Sequence, residues 1–240
     1  MLSLRAAALS DIGRVRRENE DRFILDEAAL VFGIADGVGG LPGGGEAAQH
    51  AVDEMLRLVR PVPLTQEVDL FEMVRQTNTA VADLGQKMSP SMGIGTTLTL
   101  GCIRNGVLKI GHVGDSRAYI VRDRLISRIT EDHSVESEAR LRRARGEVVY
   151  YHEVNRNALT RCIGQPTPPD VDIIRSTLNV GDRYLFCSDG VTRMLSEPDL
   201  QAIMLKHAEP KGAIDEIVGL AVRRGGPDNA TGVVIFIDAV

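Results

Sequence analysis

Basic residues hold no majority in this 240-residue chain: 28 Lys and Arg stand against 33 Asp and Glu, a net charge of −5, and no strongly basic block occurs. Nucleic acid is therefore not an expected partner. Long apolar runs are missing too, since no segment approaches the ~18 uninterrupted apolar residues of a membrane span. The short apolar stretch at the N-terminus is interrupted by Arg5 and followed by charge, so it does not read as a secretory leader. Cysteine is scarce. Cys102, Cys162 and Cys187 are odd in number and far apart, which suits buried thiols in a reducing compartment better than a disulfide framework or a zinc site. No repeat, low-complexity tract or Pro/Ser-rich linker divides the chain, so one domain over 1–240 is expected. At 43% hydrophobic and 25% charged residues, it has the composition of a globular protein with a sizeable core.

The pattern of apolar residues changes along the chain. "RFILD" and "LVFGIAD" read as strands. A helical period then runs through Ala48, Ala51, Val52, Met55, Leu56 and Val59, stopped by Pro61 and Pro63. A second helix is predicted from about Thr65 to Met88, with Phe71, Val74, Val81, Leu84 and Met88 on its apolar side. In the middle, Leu98, Leu100 and Cys102 alternate on one face before Asn105-Gly106, a dipeptide that suits a two-residue hairpin. A further turn is predicted at Asp123-Arg124. From His133 to Gly164 the alternation fails, apart from a charged helix in "SVESEARLRRARGE". Strands return at "VDIIRSTL" and "DRYLFCSD", helices at Glu197–His207 and Ala213–Arg223, and a strand at "ATGVVIFID". Hairpins in blocks and helices in pairs predict an α+β fold with antiparallel sheets.

Four acids share one local setting. Asp36 ends "LVFGIAD" before Gly37, Asp115 ends "LKIGHVGD", Asp189 ends "YLFCSD" before Gly190, and Asp228 lies just before the last strand. Any one of them could be only a turn residue. Their recurrence suggests a shared site, because a strand holds its own end in place. Converging carboxylates repel one another, and a hard divalent cation such as Mg²⁺ or Mn²⁺ reverses that cost. Gly37, without a Cβ, would let a backbone carbonyl approach such an ion. The six glycines among the nine residues after Asp36 fit no nucleotide loop. A GxGxxG counted from Gly37 fails at Pro42, and a GxxxxGK[ST] loop fails because no Lys occurs between Met1 and Gly85.

Eight segments in order resemble the metal-dependent protein phosphatases, the PPM or type 2C Ser/Thr family, in their short bacterial form: "SDIGRVRRENEDRF", "ADGVGG", "GTTLT", "HVGDSRAY", "EDHS", "NALTRCIG", "LFCSDGV" and "GGPDNATGVV". The resemblance implies a four-layer α-β-β-α sandwich, two antiparallel β-sheets flanked by helix pairs. It implies two Mn²⁺ or Mg²⁺ ions, with Asp36 bridging them, the Gly37 carbonyl binding one, and Asp189 and Asp228 binding the other. Glu20 and Asp21 match acids that hold ion-bound waters, and Asp115 with Asp189 matches the site of a third, weaker ion. Arg16 matches the arginine that grips the substrate phosphate.

The implied activity is hydrolysis of phosphoserine and phosphothreonine on proteins by an ion-activated water attacking phosphorus in line, without a covalent intermediate. The chain departs from the family at two places where relatives carry His, here Val38 and Leu41, so the acid for the leaving group is unassigned. The segment at about 133–157 corresponds to a flap beside the cleft and is arginine-rich, with Arg140, Arg142, Arg143 and Arg145. The resemblance further implies a monomeric cytoplasmic enzyme opposing a bacterial Ser/Thr kinase, and similar short proteins occur with a kinase in type VI secretion clusters. Two rivals share the resemblance. One is a pseudophosphatase binding module, against which every matching acid is present; the other is a phosphatase of an anti-sigma antagonist, whose usual upstream sensor is not seen.

Overall fold

The structure is a computed structural model describing residues 2–240. In chain order the strands are β1 (Ser3–Asp11), β2 (Asp21–Asp26), β3 (Val31–Asp36), β4 (Leu98–Arg104), β5 (Val107–Val113), β6 (Arg117–Arg122), β7 (Leu125–Arg128), β8 (Asp172–Thr177), β9 (Arg183–Cys187) and β10 (Ala230–Ala239). The helices are α1 (Gly44–Val59), α2 (Leu70–Met88), α3 (Val135–Ala144), α4 (Asp189–Thr192), α5 (Glu197–Lys206) and α6 (Pro210–Arg223). Two five-stranded antiparallel sheets result, ordered β1-β10-β9-β6-β7 and β2-β3-β4-β5-β8. The N-terminal apolar stretch is thus strand β1, paired along its length with β10.

Three apolar interfaces join four layers. Ala48, Ala51 and Met55 of α1, with Leu70, Val74 and Val81 of α2, pack on Leu98, Leu100 and Cys102. Phe32, Ile34 and Ile110 of one sheet meet Tyr184, Phe186, Val233 and Ile235 of the other. Leu200, Ile214, Ile217 and Val218 close the outer face over Leu185 and Val234. The run in β10 is continuous because both its faces are covered: Val233 and Ile235 point to the opposite sheet, Val234 and Phe236 to the helices. Each fully buried Leu, Val or Ile in these layers contributes about 1.5–3 kcal/mol.

The turns obey the sequence. Asn105 and Gly106 take φ of 50° and 72°, and Asp123 and Arg124 take 52° and 66°, the paired left-handed residues of a two-residue hairpin. Helix boundaries differ from the expected ones. α2 starts at Leu70 rather than near Thr65 because the Asp69 side chain accepts the Glu72 amide at 3.1 Å and caps it there. Phe71 and Met88, placed on its apolar side by the period, are exposed; in the first turn it is Leu70, one position earlier, that is buried against the sheet. α6 starts at Pro210, which occupies the first turn, where a missing amide costs nothing. α1 begins at Gly44, after Gly43 at φ 75°.

Strand register gathers the loops at one end of the sandwich. Asp21 lies opposite Asp36, Asp11 opposite Ala230, and Cys187 opposite both Gly232 and Arg117. The end of β3, the β5–β6 loop, the β9–α4 junction, the α6–β10 loop and the β1–β2 loop therefore converge. The flap segment leaves from the same end: the His133 amide donates to the Gly114 carbonyl at 2.8 Å, and α3 is capped by Ser134. No helix among the described residues is long and apolar enough to cross a membrane.

Candidate active site

Asp36, Asp115, Asp189 and Asp228, far apart in sequence, line one cavity of about 560 Å³ together with Arg16, Glu20, Gly37, Arg193 and Asn229. Asp36 stands at its floor. Its amide donates to Thr97 Oγ1 at 3.0 Å, and its carbonyl accepts from Thr96 Oγ1 at 2.9 Å and the Thr97 amide at 2.8 Å. The same Thr97 hydroxyl meets Ser116 Oγ at 2.9 Å, and Thr99 Oγ1 donates to the Ser116 carbonyl at 3.0 Å. "GTTLT" thus ties the Asp36 strand end to the loop that carries Asp115. Asp189 is not strictly a strand end: β9 stops at Cys187, and Asp189 opens the single turn α4.

The glycines after Asp36 make room for Glu20. A Cβ on Gly37 would lie 2.5 Å from the Gly44 carbonyl carbon and 2.9 Å from Glu20 Cβ, and one on Gly44 would lie 2.7 Å from Glu20 Oε1. The bare backbone is therefore a cradle that holds a carboxylate against the cavity wall, and any side chain would push it out. Asp21, behind it, is buried; its Oδ2 accepts from Ser188 Oγ at 2.8 Å, whereas Oδ1 has no hydrogen-bond partner. An orphaned buried carboxylate oxygen is costly unless a ligand or water completes it.

Electrostatics make the same point. Burial, then the charges of Asp21, Asp189, Asp115 and Asp228, push the Asp36 carboxyl well above the usual carboxylate range. Burial and Asp115 push Asp189 up to about 7, with Arg193 opposing. Burial and Asp132 push Asp115 up to about 6, again against Arg193. A crowd of acids this close stays fully ionised at neutral pH only with added positive charge. Two guanidinium groups supply some of it. Arg16 donates to Asp228 Oδ2 at 2.8 Å, and Arg193 stands 2.5 Å from Asp189 Oδ2 and 3.3 Å from Asp228 Oδ2. Among the described residues, no three acid, His or Cys side chains already converge tightly enough to grip an ion as they stand. The carboxylates ring the cavity instead, with Asp189 and Asp228 keeping 16% and 15% of their side-chain surface open towards a ligand. An all-oxygen donor set, the cradled Glu20 and the orphaned Asp21 oxygen fit Mg²⁺ or Mn²⁺.

A family description for protein phosphatase 2C matches residues 10–230. The chain belongs to the protein phosphatase 2C family. It is 34% identical over 239 residues to the serine/threonine protein phosphatase PstP of Mycobacterium tuberculosis, an alignment covering 97% of this chain and 45% of that protein. It therefore spans about half the length of that relative. The solved catalytic domain of PstP in complex with two manganese ions superposes with a TM-score of 0.84 at 30% identity, covering 100% of both chains. PppA, described as a key regulatory component of the type VI secretion system in Pseudomonas aeruginosa, superposes with a TM-score of 0.84 at 27% identity, covering 98% of this chain and 99% of that one.

Within this protein phosphatase 2C fold, every acid singled out from sequence sits in or beside the cavity. Val38 and Leu41 form part of an apolar flank with Leu159 and Cys162. His112 and His133 are buried structural residues, their rings 4.6 Å apart, bonded to Thr99 and Asp172 respectively. Three contributors carry no separate expectation from sequence. Ser188 orients Asp21. Asn229 is buried: its Oδ1 accepts the Glu20 amide at 2.9 Å, and its Nδ2 donates to the carbonyls of Ile12 and Glu18, latching the loop that bears Arg16 and Glu20. Arg193 had a readable signal, a basic residue one helical turn after Asp189.

Proposed function

We propose that this chain is a single catalytic unit that hydrolyses phosphoserine and phosphothreonine on proteins with the help of two Mn²⁺ or Mg²⁺ ions. The observation that carries the reading is the convergence of four loop carboxylates with Arg16 on one open cavity. Asp36, the Gly37 carbonyl, Asp189 and Asp228 are the groups that would hold the ions. Ions held there would lower the pKa of water and offset charge on the phosphoryl group. Glu20, seated on its glycine cradle, and the free oxygen of Asp21 accept hydrogen bonds from water on that side of the cavity. Arg16 is poised over Gly39 and tied to Asp228. Its fork geometry suits phosphoryl oxygens, so its place at the cavity lets the guanidinium pair with the substrate phosphate. The flank of Val38, Leu41 and Leu159 receives the apolar part of the phosphorylated residue and keeps bulk water from it.

The family resemblance further supports a monomer in the cytoplasm that reverses a bacterial Ser/Thr kinase, and the likeness to PppA favours a place beside a secretion system. The test is phosphate release from a phosphothreonine peptide by the purified chain. Release with Mn²⁺ that stops on chelation is the expected result. No release with either Mn²⁺ or Mg²⁺ would reduce the chain to a binding module.

A further inference from the structure

Behind Asp115 and Asp189, on the side away from Arg16, lies a second cavity of about 200 Å³ walled by Asp132 and Glu136 as well. Arg193 lines both cavities, at the partition between them. Its place is set locally: α4 puts it one turn after Asp189, the Arg193 amide donates to the Asp189 carbonyl at 2.8 Å, and the guanidinium closes the pair at 2.5 Å from Asp189 Oδ2. Asp132 cannot supply the missing charge, because it is an acid, and Arg117 beside it is already bound to it through two hydrogen bonds of 2.8 and 2.6 Å. Arg193 lines both cavities beside Asp115 and Asp189, its guanidinium pairing with Asp189 at 2.5 Å and reaching Asp228 at 3.3 Å, whereas Arg156 lines the second cavity alone.

Resting on the two-ion reading above, we infer that the Arg193 guanidinium occupies the Asp115–Asp189 position as a tethered cation, in place of a third divalent ion. The charges agree with this. Eight acids (Glu20, Asp21, Asp36, Asp115, Asp189 and Asp228, with Asp132 and Glu136 of the second cavity) stand against four guanidinium groups (Arg16, Arg193, Arg117 and Arg156), and two divalent ions balance what is left. A guanidinium cannot lose its proton at any relevant pH. Being part of the chain, it also competes at an effective concentration in the millimolar range or above, which a weakly held ion does not match.

The number of Mn²⁺ ions bound per chain, by equilibrium dialysis with metal analysis, tests this without reference to turnover. The wild type is expected to bind two. Arg193→Ala and Arg193→Gln are expected to bind a third at least tenfold more tightly than the wild type does, and Asp115→Asn added to either should return the count to two. Arg193→Gln keeps the side chain's size, so a folded variant is available should the alanine form unfold, and a thermal melt verifies both. A third ion in the wild type that disappears in Asp115→Asn overturns the inference, as does an unchanged count of two in both Arg193 variants. A wild type that binds no Mn²⁺ overturns the two-ion reading and this inference with it.

Discussion

The Asp36 backbone is held by three hydrogen bonds to Thr96 and Thr97, which fix where its carboxylate enters the cavity. Asn in its place keeps the size and the backbone contacts and loses the charge that two ions would share. Asp36→Asn is therefore expected to lower kcat/KM for a phosphothreonine peptide by about 10³-fold or more, equivalent to roughly 4 kcal/mol of transition-state stabilisation. Circular dichroism should show an intact fold, and activity within tenfold of wild type would remove Asp36 from the centre. Arg16 is a different case, since it binds a group present in substrate and transition state alike. Arg16→Ala is expected to raise KM by about 10- to 100-fold with a smaller change in kcat, the loss of one or two charge-assisted hydrogen bonds. An unchanged KM with a collapsed kcat would place Arg16 on the transition state alone.

At the scale of elements, the site depends on how one loop is pinned to one strand. The β1–β2 loop carries Arg16 and Glu20 but forms little regular structure, and Asn229, at the entrance to β10, holds it through three hydrogen bonds. Asn229→Ala leaves the Glu20 amide and two carbonyls without those partners, which costs about 2 kcal/mol. In a chain of this size that corresponds to a fall in Tm of about 4–8 °C. KM should rise as well, because the loop bearing Arg16 loosens, whereas unchanged Tm and KM would show the latch to be idle. The hairpin elements were legible in the sequence, since Asn105-Gly106 and Asp123-Arg124 state their turns in two residues. Helix starts were less so: apolar period cannot tell that Asp69 caps α2 or that Pro210 opens α6.

For the whole molecule, the acids of the cavity make ion-free stability depend on pH. A carboxyl raised in the folded state binds its proton more tightly than it does in the unfolded chain, so its contribution is full at low pH and is lost as pH rises through the folded value. Asp189, pushed to about 7, and Asp36, pushed well above the ordinary range, set the window at and above neutrality. The buried His112 and His133 act with the opposite sign, but their part shrinks above pH ~6.5 as the unfolded chain's imidazoles lose their protons too. In chelator, Tm should fall from pH 6.5 to 8. With Mn²⁺ the fall should vanish, so that the gap between ion-loaded and ion-free Tm widens with pH. A gap that narrows over this range would mean the acids are not gathered as described. At saturation of ~100 Kd, each ion adds about 2.7 kcal/mol.

What the sequence determined alone was local: strands by alternation and apolar runs, hairpins by their turn pairs, and acids at the mouths of strands. The family motifs then told which acids belong together, a step that no spacing along the chain contains. Their meeting was decided by tertiary structure, because antiparallel register sets Asp21 against Asp36 and brings the ends of β3, β5, β9 and the start of β10 to one edge. Only that assembly showed why the loop after Asp36 is glycine, namely that Glu20, from the β1–β2 loop, rests on it. It also showed that Arg193 stands among the acids. A contact between residues distant in sequence depends on packing of the whole chain, and charge repulsion among carboxylates exists only once packing has brought them within reach.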